Sequence, residues 1–196
     1  MASRTNNPAD VSTVRGVKGG YMFIAPVGTT VPTDRTTSLN AAFVNVGYVS
    51  DDGWKESVDI DTTDSVSDER GDTVIASEAS SYTEKITCTL ISITKDALSL
   101  MFGAKNVTDS KGEITVDHNW GNAGDHWSVV LELVMKNDRH WRKVIPDCNV
   151  TSLDDMGLNK DDAAGREVEL TYQTDSNGSG CKDYIQSTET TATTAA

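Results

Sequence analysis

The residues able to do chemistry in this chain are three histidines, three cysteines and a surplus of carboxylates. His118, His126 and His140 could bind a metal or carry protons, but no two stand four apart and no His-Glu-x-x-His array occurs. Lone histidines in or beside strand-like segments imply structural or solvent-facing roles. Cys88, Cys148 and Cys181 are odd in number and widely spaced, which fits neither a disulfide framework nor a zinc site; they read as reduced thiols, two of them in the core. No serine sits in a Gly-x-Ser-x-Gly elbow, and neither the dinucleotide fingerprint nor the Walker pattern is present. The stretch Asp175 to Gly180 has a faint calcium-loop look, yet the twelfth position, where a bidentate acid belongs, is Gln186. Asn, Gly and Ser there predict a turn. The adjacent pairs Asp51 and Asp52, Asp154 and Asp155, and Asp161 and Asp162 stand in polar stretches where carboxylates are solvated. No enzyme, cofactor or metal is therefore expected.

Charge is more informative. The chain carries 30 acids against 17 bases, a formal net charge of -13, so the basic footprint of a nucleic-acid-binding protein is missing. Residues 50 to 80 hold ten of the acids (Asp51, Asp52, Glu56, Asp59, Asp61, Asp64, Asp68, Glu69, Asp72 and Glu78) against Lys55 and Arg70 alone. A solvated hairpin would explain them. So would a projecting contact arm whose apolar residues Trp54, Val58, Ile60, Val66, Val74 and Ile75 meet a neighbour, because the stretch alternates apolar with acidic residues and has no obvious partner strand in the domain.

The elements around this stretch read as β. Tyr21 to Ile24 predicts a first strand, halted by Pro26 and Gly28. Ala42, Val44, Val46 and Tyr48 share one parity and predict a half-buried strand, ended by a turn at Asp51-Asp52-Gly53. Tyr82, Ile86, Cys88 and Leu90 share a parity too, with Ile91 and Ile93 on the other, which predicts a central strand buried on both faces. Thr94 reads as the N-cap of a single helix over Lys95 to Phe102, placing Ala97, Leu98, Met101 and Phe102 on one face before Gly103. Trp127 to Met135 alternates cleanly, Asn137 and Asp138 turn the chain, and a return strand from Trp141 to Val150 is broken near Pro146. Val168, Leu170 and Tyr172 supply a last strong strand. Seven or eight strands and one helix predict a mainly β protein, a β-sandwich or barrel with one flanking helix and a long β-hairpin arm.

The length suits one domain. Residues 1–20 form an N-terminal arm, residues 21–186 the β domain with its extended hairpin at 50–80, and residues 187–196 a tail expected to be disordered for want of large apolar side chains. No stretch approaches the ~18 apolar residues of a membrane span and no signal sequence is visible, so a soluble cytosolic chain is expected.

The order of these segments resembles a known family. YMFIAPVGTTVPTD from Tyr21, LNAAFVNVGYVSDDGWKESVDIDTTD from Leu39, and YTEKITCTLISITKDALSLMFG from Tyr82 resemble the major tail tube proteins of phages with long non-contractile tails. The likeness covers roughly residues 20–180 and rests on segment order and on phrases such as Gly47-Tyr48-Val49-Ser50 before an Asp-Gly turn. It implies a virion structural protein, made in the host bacterial cytoplasm, that self-assembles into hexameric rings stacked as the tail tube. It further implies the tape-measure protein in the lumen, passage of DNA without specific binding, and a tail terminator and distal tail protein at the two ends. The hairpin and N-terminal arm of such proteins bridge subunits or rings. Acids such as Asp59, Asp61, Asp64, Asp68 and Asp72 would line the lumen and repel phosphate.

Two other readings stand beside it. One is a tube subunit of a secretion or contractile injection system. The other is a monomeric carbohydrate-binding β-sandwich, for which Trp54, Trp120, Trp127 and Trp141 would offer stacking faces.

Overall fold

A computed structural model describes residues 6–119, 124–175 and 178–188. The chain is mainly β, with one α-helix among the described residues. Its strands are β1 (Val14–Gly16), β2 (Met22–Pro26), β3 (Val44–Asn45), β4 (Val49–Ser67), β5 (Thr73–Leu90), β6 (Val107–Ser110), β7 (Glu113–Val116), β8 (His126–Met135), β9 (His140–Leu153), β10 (Arg166–Tyr172) and β11 (Lys182–Ile185), with α1 (Lys95–Phe102) between β5 and β6. The strands beyond those expected are the short ones β1, β6, β7 and β11, which offer too few residues for a period of two to register.

Nine strands form one antiparallel sheet in the order β3-β2-β8-β9-β10-β5-β4, with β1 added beside β8 and β11 beside β9, while β6 and β7 pair separately. The ends of that path, β3 and β4, are joined by only Val46, Gly47 and Tyr48. Four Cα steps reach at most about 14 Å, so the two edges must lie side by side and the sheet curls on itself. The crossing is held at both ends: Val46 N–H donates to Met22 O on β2 at 3.2 Å, and Ile91 N–H, just past β5, donates to Tyr48 O at 3.0 Å.

The interior is filled by inward-facing residues of every long strand, among them Met22, Ile86, Leu90, Leu131, Ile145 and Leu170, all at or below 2 % exposure. Each such side chain contributes about 1.5–3 kcal/mol by leaving water. The helix closes one end of this core with Ala97, Leu100 and Met101. Thr94 Oγ1 accepts from Ala97 N–H at 3.2 Å as the expected N-cap and donates to Val46 O at 3.3 Å, tying the helix to the seam, and Gly103 takes φ 92 past the C-terminus.

Four sequence expectations need correction. Residues 42–48 are not an alternating strand: Phe43 and Val46 are buried in two different clusters, whereas Val44 is half-exposed, and Tyr48, beyond Gly47 at φ 105, is 79 % exposed. Asp51 to Gly53 form no turn; β4 runs through them as an irregularity between the Val49/Leu90 and Trp54/Cys88 pairs, with Gly53 at φ 70. β5 ends at Leu90 and Ile93 is 59 % exposed, so the strand is not buried on both faces. β9 is continuous across Pro146, where a register shift between Trp127 and Val129 absorbs the proline.

The opposite face of β8 and β9 is also covered, by the chain between β2 and β3. Phe43 packs with Ala25, Val130 and Val144, and Val31 and Leu39 join them. Beneath this covering segment lies a buried ion pair. Arg142 contacts Glu132 Oε1 through Nη2 at 2.6 Å and donates through Nε at 2.8 Å, and its Nη1 donates to the carbonyls of Asp34 and Thr37. Asp34 itself caps the turn, accepting from the Thr37 and Thr36 hydroxyls and backbone N–H groups, which hold its carboxyl well below the usual carboxylate range. Replacing Arg142 with Ala leaves Glu132 buried and unpaired and is expected to cost about 3–5 kcal/mol. Urea titration measures that loss, and limited proteolysis should show residues 27–43 becoming cleavable.

Candidate assembly interface

Beyond the barrel, β4 and β5 continue alone as a two-stranded arm. Every residue from Ser57 to Val66 and from Thr73 to Tyr82 is exposed, and the strands pair only with each other, as far as Ser67 and Thr73. At about 3.3 Å per residue the arm extends roughly 30–35 Å from the barrel.

Strand alternation sorts its side chains. The cross-strand pairs Trp54/Cys88 and Glu56/Ile86 belong to the barrel interior, so the pairs in step with them, Val58/Glu84, Ile60/Tyr82 and Val66/Val74, continue that face outward. Five apolar side chains on it are about half exposed: Val58 48 %, Ile60 57 %, Tyr82 51 %, Val66 56 % and Val74 50 %. Trp54 lies at the root, half-buried, and Ile75 sits in the bulge between the Ser65/Ala76 and Val66/Val74 pairs. The other face is polar, with Lys55, Ser57, Asp59 and Asp61 opposite Thr87, Lys85, Thr83 and Ser81. Ser81 Oγ donates to Asp61 at 2.7 Å. The five acids expected to act together are thus divided: Asp59 and Asp61 share the polar face, Asp64 falls in step with the apolar one, and Asp68 and Asp72 stand at the tip, Asp72 with φ 60.

The root is fixed by a charged cluster that sequence reasoning missed. Lys143 is 5 % exposed, and its ammonium contacts Glu56 Oε1 at 2.8 Å and Asp183 Oδ2 at 3.0 Å, with Cys181 Sγ at 3.6 Å. Tyr172 donates to the same Glu56 oxygen at 3.0 Å, and Trp141 Nε1 donates to Asp183 at 2.6 Å. Burial alone would lower the Lys143 pKa, but the Glu56 hydrogen bond and the neighbouring Cys181 and Asp183 raise it above its ordinary value. Burial, with Glu56 close by, raises the Tyr172 phenol strongly and pushes the Cys181 thiol up to about 12. Glu56 on β4, Lys143 on β9, Tyr172 on β10 and Asp183 on β11 meet only through strand register. Their one trace in the sequence is the Arg142-Lys143 pair set between Trp141 and the apolar run Val144 to Pro146.

Beside this cluster is a cavity of about 320 Å³ lined by Tyr21, Trp54, Trp141 and Lys143. The rings of Tyr21 and Trp54 meet edge-on at 5.8 Å. Trp127 is buried and presents no stacking face, Trp54 and Trp141 are half-buried, and Trp120 lies outside the described residues. The histidines stand apart from one another: His126 Nδ1 lies 2.6 Å from Asp147, His118 packs on Phe102, and His140 Nδ1 is 3.9 Å from Glu132. Among the described residues no group of His, Cys, Asp or Glu could hold a metal ion. Cys88 and Cys148 are buried and Cys181 partly so. The Asp175 stretch is a turn in its described part, Gly178 N–H donating to Asp175 O; Ser176 and Asn177 lie outside the described residues, as does the tail beyond residue 188. Among the described residues no helix is long and apolar enough to cross a membrane.

Among the described residues, the longest stretch of strand without a partner beyond its own hairpin is this half-apolar ribbon, a surface suited to contact rather than to catalysis. The family model described as Phage tail tube protein matches residues 6–196, and the chain belongs to that family. It is a structural protein of the phage tail tube, and its place is the virion. No curated protein matches the chain. Family membership favours the phage tube over a carbohydrate-binding module.

The root cluster predicts alkaline sensitivity. Tyr172 and Lys143 both have folded-state pKa values above their unfolded values of about 10 and 10.4. Their contribution is therefore complete below about pH 10 and is lost as pH rises through the folded values, because there the native state holds more protons than the unfolded one. Stability by urea titration should fall steeply above pH 10, and Tyr172→Phe should flatten that fall.

Proposed function

We propose that the arm is the element through which copies of this chain join into the tail tube. Copies would close into rings of six that stack coaxially, each arm laying its apolar face on an adjacent copy. The single observation that carries this reading is the exposed apolar face, Val58, Ile60, Tyr82, Val66 and Val74, on a ribbon that nothing else among the described residues covers. An isolated two-stranded hairpin is marginal in water and needs a further layer. A neighbouring copy supplies that layer.

The polar outer face of β4, β5 and β10 then suits the lumen wall. Asp59, Asp61, Glu78, Glu167 and Glu169 lie on it against Lys55 and Lys85, an acidic excess that repels phosphate and lets DNA pass without adhering. The lumen would hold the tape-measure protein before the genome passes, with the tail terminator and distal tail protein at the ends.

The arm can be removed without disturbing its root. Excising Ile60 to Tyr82 and joining Asp59 to Thr83 through Asn-Gly, a two-residue hairpin turn, retains Glu56 on Lys143. The shortened chain is expected to stay a folded monomer and to form no tubes in electron micrographs or sedimentation at any concentration; normal tubes from it would refute the role of the arm. In the full chain, Ile60→Ser should raise the critical concentration for assembly about tenfold, the equivalent of ~1.4 kcal/mol for a half-exposed isoleucine that becomes buried.

A further inference from the structure

The root cluster brings one amine and two carboxylates together where water is scarce. Lys143 and Asp183 are direct cross-strand partners on β9 and β11, so their side chains leave the ladder on the same face. The Lys143 side chain is 6 % exposed, and its nitrogen stands 3.0 Å from Asp183 Oδ2 and 2.8 Å from Glu56 Oε1. The other Asp183 oxygen, Oδ1, accepts from Trp141 Nε1 at 2.6 Å, and Glu56 Oε1 also accepts from the Tyr172 hydroxyl at 3.0 Å. A nucleophile, an electrophile, a proton carrier and a donor aimed at the electrophile's oxygen therefore meet around a single nitrogen.

A buried ammonium is unfavourable even when it is paired. Burial is the largest influence on Lys143 and acts against its charged form, while Glu56 and the neighbouring groups favour it. Transfer of one proton from Nζ to Asp183 Oδ2 turns the ion pair into a neutral amine beside a neutral acid, with no charge left to desolvate on either. A desolvated, neutral lysine is a nucleophile. Cys181, 3.6 Å from the same nitrogen, does not compete with it, because burial pushes its thiol up to about 12 and keeps it protonated.

We propose that Lys143 and Asp183 condense into an isopeptide bond, with Glu56 as the proton carrier. Nζ, having given one proton to Oδ2, attacks Asp183 Cγ. The C–N bond forms, and the carbonyl electron pair moves onto Oδ1, where the Trp141 N–H stabilises the oxyanion. Glu56 takes a second proton from the nitrogen and delivers it to Oδ2; the C–Oδ2 bond breaks and water leaves. The third proton stays on the amide nitrogen, and Glu56 returns to its carboxylate. One ammonium and one carboxylate enter, and one amide and one water come out. The Asp183 side chain is 34 % exposed, which gives the water an exit while the nucleophile stays enclosed. The reactive proton arrangement is the minor one, so the bond forms slowly after folding.

The product ties together parts of the chain 40 positions apart. β11 is four residues long, and the amide fastens it to β9 at the point where the arm leaves the barrel. β11 so fastened cannot be peeled from β9 by tension on the chain beyond it. In the linked chain Lys143 no longer titrates, and the alkaline loss predicted above then rests on Tyr172 alone. The bond is made within one chain, so it is independent of how copies assemble.

Intact mass spectrometry of the full-length chain, purified and held at neutral pH, tests this directly. The chain should become lighter by one water, and trypsin should release a branched peptide in which residues 143–160 are joined to residues 183–196. Asp183→Asn should lose ammonia in place of water, because the amide is then the electrophile, a change that a purely structural role for Asp183 does not produce. Glu56→Gln, checked for folding by circular dichroism, should keep its full mass. A folded unmodified chain that retains its full mass overturns the proposal. So does loss of water without the branched peptide, or a branch that maps to Glu56.

Discussion

The fold depends on a three-residue crossing. Val46, Gly47 and Tyr48 carry the chain from one end of the sheet order to the other, and every other closure contact follows from that short span. Gly47 is the residue that permits it. Its φ of 105 lies in the left-handed region, and a Cβ there would stand 2.5 Å from the side chain of Ser92, whose hydroxyl accepts from Tyr48 N–H at 2.7 Å. Any side chain would push the crossing away from Ser92, just past the end of β5. With the seam in place the helix has a fixed seat, since Thr94 bonds Val46, and the barrel interior becomes a closed apolar volume.

Closure also explains why the arm exists in the form it has. β4 and β5 are much longer than the strands beside them, so their inner halves complete the barrel while their outer halves run on unsupported. The alternation that buries Ile86 and Cys88 cannot stop at the barrel rim, and it therefore presents Val58, Ile60 and Tyr82 to water on the same face. The Glu56, Lys143, Tyr172 and Asp183 cluster sits where core becomes arm and replaces apolar packing with directional contacts. Hydrogen bonds to Glu56 from Lys143 on β9, itself held by Asp183, and from Tyr172 on β10 hold β4 more narrowly in angle than methyl packing would, so the arm leaves the barrel in a set direction.

Long periodic elements were legible in the sequence, and short or register-dependent ones were not. β8, β10 and α1 were readable because each carries at least three core residues in one period and, for α1, a cap at each end. The failures have physical causes in particular residues. Val44 and Tyr48 mimic a period of two across a glycine at positive φ, and Pro146 looks like a strand break where a register shift accommodates it. The apolar residues of the arm were identifiable as a group from their alternation with acids. That five of them share a face with the core, and that Asp64 is out of step with Asp59 and Asp61, required the cross-strand register. The hydrogen bond between Tyr172 and Glu56 in the root cluster joins residues 116 positions apart, a distance over which local pattern carries no information.

Charge limits how such copies can associate. Each carries -13, and the excess is concentrated on the arm, so two copies approaching arm first repel each other. At physiological ionic strength that repulsion decays over about 8 Å, whereas apolar contact acts only at touching distance. Association is therefore opposed until surfaces meet and favoured once several half-exposed side chains are covered together. One arm contact alone provides only a few kcal/mol against that repulsion and the entropy of association. On the proposed assembly, a ring member touching two neighbours at once would double the favourable term without a second entropy cost, which would make closed assemblies stable where pairs are not. On that proposal, the charge distribution that opposes single contacts would favour the multiply contacted geometry of a tube over disordered aggregation.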